Sequence, residues 1–210
     1  VIRTVLGDVD PAQLGATNYH EHLFQISPLL VGDELDDEDL SGREAALLKA
    51  SGFTAMVDAT PFGLGRDPEA VARISAGTGM HVVATTGRHR EAHYGADHPL
   101  QVWGVERLAE LFVSEVTRGM VVDDALVFET PDVPRAAAPD GAVVRAGMLK
   151  AGVDYWSISP FERTTLLAVA DAHRTTGAPV MVHLEFCTAA HEVLDLLEAE
   201  GVASDRVVLA

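Results

Sequence analysis

The stretch Pro179-Val180-Met181-Val182-His183 is an almost continuous apolar run that ends on a histidine. Runs of this kind form strands that are buried on both faces, as in parallel sheets covered by helices. A second run, Met80-His81-Val82-Val83-Ala84, has the same character. Longer amphipathic segments separate the apolar runs, so the sequence predicts repeated strand–helix units and an α/β fold with a parallel sheet.

The same criteria predict six strands and five helices. The strands are expected at 16–22, 53–60, 80–87, 143–150, 179–185 and 206–210. The helices are expected at 41–50, 67–76, 104–118, 160–176 and 188–200. Four of the helices are followed by a glycine, the residue that most easily adopts the left-handed conformation of a helix end. These are Gly52, Gly119, Gly177 and Gly201.

A closed (β/α)8 barrel has eight strands and typically about 250 residues. Six predicted strands therefore indicate either an open sheet or a single barrel domain over residues 1–210 that lacks strands seven and eight. Residues 121–142 contain Pro131, Pro134 and Pro139 and show no helix or strand period. Loops of this length are either functional lids or irregular segments, and here we expect an inserted, decorative loop.

The composition restricts the classes of binding partner that this protein is expected to have. Fifteen Lys and Arg residues against 32 Asp and Glu give a formal net charge of -17, which disfavours binding to nucleic acid or to anionic membranes. Apolar stretches stay far below the roughly 20 residues that a membrane helix needs. Cys187 is the only cysteine, so an internal disulfide is excluded and a cytoplasmic location is expected. A small-molecule partner remains.

The clearest local motif is His20-Glu21-His22, at the end of the first predicted strand. Side chains at positions i and i+2 of a strand share a face, so the two imidazoles project together while Glu21 points away. The carboxyl ends of parallel strands carry the active sites of such folds. The pair is therefore half of a metal site, or alternatively a hydrogen-bonded pair without a ligand.

Lys150 and His183 close two later predicted strands. Burial disfavours the charged form of a lysine, and a neutral amine can take up carbon dioxide as a carbamate, an anion able to bridge two cations. The alternatives are a lysine whose ammonium reaches solvent along its aliphatic stem, and a histidine satisfied within the core.

Taken together, these residues resemble the phosphotriesterase family of the amidohydrolase superfamily. The likeness extends over nearly the whole chain, at residues 15–23, 53–60, 63–67, 85–87, 145–150 and 176–183. The resemblance implies a (β/α)8 TIM barrel with two divalent metal ions, usually Zn²⁺. It assigns His20 and His22 to the more buried metal, Lys150 as a carbamate to both, and His183 to the exposed metal. Two further family ligands, a histidine on strand six and an aspartate on strand eight, have no counterpart in this sequence.

The metals imply the chemistry. A water between two cations loses much of its pKa, so the resemblance implies metal-activated hydroxide that attacks a carboxylic ester, lactone or phosphotriester. The sequence identifies no general base. The alternative is a catalytically silent metal-binding or scaffold protein, because two family ligands are lacking. A nucleobase deaminase is disfavoured, since Lys150 has no role in one. Relatives in the family are often homodimers, and the sequence locates no interface.

Three residues are candidates for substrate binding. Phe62 follows the second predicted strand, and Arg88 and His89 follow the third. Their positions predict that they line the mouth of the pocket, with residues 93–103 and the proline-rich loop at the rim. Ordinary loop packing is the alternative. The polar pair Arg88 and His89 favours an anionic or hydroxylated ester or lactone.

Overall fold

The computed structural model describes residues 1–130 and 132–210, so Pro131 lies outside the described residues. Two short strands, β1 (Ile2–Thr4) and β2 (Gly7–Val9), form an antiparallel hairpin. Six further strands pair in chain order, and every pair is parallel. They are β3 (Thr17–Glu21), β4 (Ala55–Asp58), β5 (His81–Gly87), β6 (Met148–Val153), β7 (Val180–Leu184) and β8 (Val207–Leu209).

In the described part of the chain, one short helix precedes the parallel sheet, and five longer helices connect its strands. They are α1 (Pro11–Leu14), α2 (Glu38–Ala50), α3 (Pro68–Thr78), α4 (Val105–Thr117), α5 (Pro160–Thr176) and α6 (Ala190–Ala199). Ser159 caps α5 in a reciprocal hydrogen-bonded box with Glu162, as its sequence indicates. A parallel sheet in chain order, with a helix after each of its first five strands, is the arrangement of a (β/α)8 barrel, which confirms the predicted fold class.

The fourth predicted strand is the main correction. It was expected at 143–150, with Lys150 at its end, whereas β6 spans Met148–Val153 and Lys150 is its third residue. The strand continues because residues 151–153 pair with Val182, His183 and Leu184 of β7. Alanine and glycine are poor strand formers, so Ala151-Gly152 does not read as a strand in the sequence.

The hairpin β1–β2 has no counterpart in the sequence-based prediction, because three-residue strands are too short to show a period. It packs at the amino-terminal end of the sheet, where Val5 N donates to Val82 O at 2.8 Å. Ile2 contacts the small apolar cluster that contains Val57, Val83 and Met181. The hairpin therefore covers the end of the sheet opposite to the ends that carry His22 and His183.

The described part of residues 121–142 packs against the body of the protein, in contrast to the expected decorative insertion. Asp124 accepts a hydrogen bond from Gly63 N at 2.7 Å, and Ala136 is fully buried. The Asp124 carboxylate also pairs with Arg66 at 2.7 Å, and the same guanidinium contacts Glu115 at 2.6 Å. This ion network joins the segment to α4 and to the loop after β4.

Among the described residues, no helix is both long and apolar enough to cross a membrane. Cys187 is exposed and free.

We expect Arg66→Met to lower the free energy of unfolding by about 3–5 kcal/mol, because the change leaves the Glu115 and Asp124 carboxylates without their buried cation. Urea denaturation measures the change. Arg73→Met is the matched control: Arg73 pairs with Glu38 at the surface, at 2.8 Å, and a solvent-exposed pair contributes about 0–1 kcal/mol. Equal losses in the two variants would contradict a stabilising role for the buried network.

Candidate metal centre

The four predicted metal ligands lie together on one side of the sheet. The ring centroids of His20 and His22 are 5.3 Å apart, and those of His20 and His183 are 5.9 Å apart. Lys150 Nζ lies 3.4 Å from His20 Nε2. The pairing of β3 with β4 shifts register between Asn18 and Glu21, an irregularity of the kind that re-aims side chains near active sites.

Lys150 is the most constrained member of this group. Lys150 is fully buried, and its Nζ contacts His20 Nε2 and Met181 Sδ, each at 3.4 Å. Among the described residues, no ion pair within 4.0 Å involves this amine. Burial lowers the pKa of Lys150 to about 7, against a small opposing effect of Asp58. A large share of the amine is therefore neutral and nucleophilic at neutral pH.

The histidines are held in their neutral form. Burial, with a smaller contribution from Lys150, lowers the pKa of His20 to about 4 and that of His22 to about 3. His22 Nδ1 lies 2.7 Å from Thr60 Oγ1, which orients its ring. His183 Nδ1 is buried and has no hydrogen-bond partner in the described part of the chain. Neutral imidazoles with free lone pairs are the form that binds metals.

These residues fit a divalent metal by the chemistry of their donors, on one condition. In the described residues, no group of three or more His, Cys, Asp or Glu side chains is arranged to hold a metal ion by itself. The imidazoles surround an amine instead of a carboxylate. Conversion of that amine to a carbamate would place anionic oxygens among the three histidines and complete a set of nitrogen and oxygen donors suited to Zn²⁺.

A second pair of histidines lies beside this group. His89 and His93 are both buried, with ring centroids 4.1 Å apart, and the His89 ring is 4.9 Å from that of His183. His89 Nδ1 accepts a hydrogen bond from Arg90 N at 2.8 Å, so the proton of the neutral ring is assigned to Nε2. His93 Nδ1 lies 2.9 Å from Ser27 Oγ. The sequence places His93 only at the start of the pocket rim.

Arg88 and Phe62 do not occupy the predicted positions at the pocket mouth. The Arg88 guanidinium is buried and donates to Thr165 Oγ1, Leu100 O and Phe161 O at 2.5–2.8 Å. Phe62 is also buried, and its ring lies 5.9 Å from that of Phe128. Both side chains pack within the protein, so the polarity of Arg88 gives no support to an anionic substrate.

Two acidic residues near the centre are missing from the sequence-based prediction. Asp58 ends β4 and is buried, which raises the pKa of its carboxyl group to about 6. Glu185 follows β7 and lies 2.8 Å from Arg90 and 3.4 Å from His183 Nε2. Both stand at the carboxyl end of an apolar run, the same signal that singled out Lys150 and His183.

We expect Arg88→Leu to reduce the free energy of unfolding by about 2–4 kcal/mol, since it removes three buried hydrogen bonds, those to Thr165 Oγ1, Leu100 O and Phe161 O. Thermal and urea denaturation check this. Arg163→Leu, at an exposed position of α5, serves as the control and is expected to change stability by less than about 0.5 kcal/mol. An Arg88→Leu protein of unchanged stability would return Arg88 to the list of substrate-facing residues.

Comparisons with known proteins find similar sequences and similar folds. A sequence model described as the phosphotriesterase family matches residues 1–127 and 134–210. A "Phosphotriesterase homology protein" of Mycobacterium tuberculosis is 33% identical over 229 residues, covering 99% of this chain and 62% of that protein. A "Phospho-furanose lactonase" of Mycoplasmopsis synoviae is 29% identical over 216 residues, covering 99% of this chain and 59% of that protein.

Solved structures show the same fold. The crystal structure of a lactonase from Listeria monocytogenes superposes with a TM-score of 0.81 at 28% identity, over 100% of this chain and 64% of the lactonase. The chain thus spans about six tenths of the length of the relatives that it matches.

Proposed function

This chain belongs to the phosphotriesterase family, and on that premise we propose that the protein that carries it is a metal-dependent hydrolase of carboxylic esters, with lactones as the preferred class. The observation that supports this most strongly is the buried amine of Lys150, which lies among His20, His22 and His183 and has no carboxylate partner within 4.0 Å in the described residues. A buried lysine without a carboxylate partner is costly for stability, so its presence calls for a functional explanation.

His20 and His22 would hold one divalent metal ion, His183 a second, and a carbamate on Lys150 would contact both; Zn²⁺ suits these donors. When bound, the two cations lower the pKa of a water molecule and polarise the carbonyl under attack. Burial lowers the pKa of His20 and His22, so their imidazoles are neutral and able to bind a metal ion. Thr60 fixes the ring of His22, and Glu185 lies beside the ring of His183.

Carbamate formation on Lys150 needs no reactant other than carbon dioxide. The neutral Lys150 nitrogen attacks the carbon of carbon dioxide, an N–C bond forms, one C–O π pair moves to oxygen, and a proton leaves to solvent. The product is an anionic carbamate, at a buried position where an ammonium ion would be poorly solvated. The pKa of about 7 for Lys150 leaves enough free amine for this step at neutral pH.

The substrate class rests on the relatives and on His89. Relatives are named as lactonases, and a lactone presents a carbonyl in a compact ring. His89 lies beside His183, and its Nε2–H is a donor suited to a carbonyl or hydroxyl oxygen of the substrate. Since Arg88 is committed to internal carbonyls, we propose a neutral or hydroxylated lactone.

The test is reconstitution of the metal-free protein with Zn²⁺, with and without ¹³C-labelled bicarbonate. We expect lactone hydrolysis only when both are present, together with a carbamate signal in the ¹³C NMR spectrum. Lys150→Met should remove the signal and lower kcat/KM by more than about 100-fold. Loss of a group that only orients a metal ligand already lowers activity by about 10–100-fold, and loss of a ligand itself should cost at least as much. The melting temperature should not fall, since a buried amine is replaced by an apolar chain of similar length.

His191→Ala is the matched control, because His191 is exposed on α6. This variant should keep both its metal content and its rate. Retention of metal and rate by Lys150→Met would overturn the carbamate. A protein that binds Zn²⁺ but hydrolyses no lactone, carboxylic ester or phosphotriester would overturn the hydrolase proposal in favour of a silent metal-binding protein.

A further inference from the structure

Three aromatic side chains stand in solvent on the loops that follow β6 and β7. Tyr155, Trp156 and Phe186 are 56%, 68% and 82% exposed. The Tyr155 ring lies 6.3 Å from that of Trp156 and 6.0 Å from that of Phe186, and both pairs are edge-to-face. We call these three residues the aromatic ledge. Contiguous exposed apolar groups of this size mark places where a protein binds something.

The backbone around the aromatic ledge is strained. Among the described residues, the non-glycine positions with a left-handed φ are Trp156, Phe186, Cys187 and Ala189, at +51° to +58°. All four belong to the two ledge loops. A residue with a side chain is strained in this conformation, and such outliers cluster at ligand-binding sites.

Hydrogen bonds hold the two loops in a fixed relation. Thr188 Oγ1 accepts from Trp156 N at 2.9 Å and donates to Glu185 O at 2.8 Å. The threonine therefore joins the loop after β6 to the loop after β7. Rings that are already held in place lose little conformational entropy when a ligand covers them.

The aromatic ledge is linked to the candidate metal centre through Glu185. Phe186 is three residues beyond His183, and Glu185 contacts both His183 and Arg90. Arg90 also reaches Asp154, the neighbour of Tyr155, at 3.2 Å. A cavity of about 520 Å³ lies at the aromatic ledge. It is lined by Tyr155, Trp156, Phe186 and Thr188, and none of these described lining residues is charged.

We propose that the aromatic ledge binds an apolar arm of the substrate, an alkyl or aryl group attached to the ester or lactone away from the bond that is cleaved. This inference rests on the proposed function, since it names the substrate class of the same site. An uncharged aromatic surface that begins three residues beyond a metal-ligand candidate suits a neutral apolar group. A second copy of the chain is a poorer occupant, because two copies with a net charge of -17 repel each other.

The kinetic test uses lactones that differ only in the length of an alkyl substituent. For the unchanged protein, kcat/KM should rise by about twofold or more for each added methylene until the aromatic ledge is covered. Trp156→Ala and Phe186→Ala should raise KM about tenfold for the long-chain lactone, leave kcat nearly unchanged, and leave the unsubstituted lactone unaffected. Leu47→Ala is the matched control, because Leu47 is 63% exposed on α2.

A binding measurement makes the test independent of turnover. In the Trp103→Phe variant, Trp156 is the remaining tryptophan, and its fluorescence should change on titration with an alkyl-substituted lactam, which is not hydrolysed. Binding without hydrolysis of any lactone would overturn the proposed function and keep the ledge. Hydrolysis with no effect of chain length and no fluorescence change would overturn substrate binding at the ledge but not the proposed function. The same conclusion would follow if the protein were a dimer that Trp156→Ala dissociates without a change in KM.

Discussion

The removal of the Lys150 amine from water is the constraint on which the centre of this structure depends. The strand that carries it pairs with β5, and just beyond that pairing Arg88 N donates to Lys150 O at 3.1 Å. Gly87 has a φ of +141°, and a β-carbon at this position would overlap the Lys150 carbonyl group. Glycine is therefore required beside the lysine, and the pairing of β5 with β6 in turn fixes where the amine lies among the histidines.

The buried amine also accounts for the character of its neighbours. A charged carboxylate at contact would keep the ammonium form and abolish its reactivity, and Met181 Sδ occupies such a place instead. Asp58 is the carboxyl group that opposes the lowering of the Lys150 pKa, and it is itself buried and has a raised pKa. Burial thus acts in the same sense on both groups, moving each towards its neutral form.

Much of this architecture could be predicted from the sequence, because apolar runs and helix-ending glycines are local signals. All six parallel strands and the five helices between them were expected, and the four candidate ligands lie together. The side chain of Arg88 was misplaced because its acceptors, the carbonyls of Leu100 and Phe161, are 12 and 73 residues away. The strained loops were missed for a related reason: Trp156, Phe186 and Ala189 are not residues whose type indicates a left-handed backbone.

Those four left-handed residues bear on how this protein would respond to selection. Glycine at any of them would relieve backbone strain, so heat resistance is most easily gained in the loops after β6 and β7. The same replacements at Trp156 or Phe186 would remove a ring that stands in solvent. Greater stability and retention of the proposed apolar subsite would therefore make opposite demands on these two positions, while the strands that carry the histidines and the lysine are not involved.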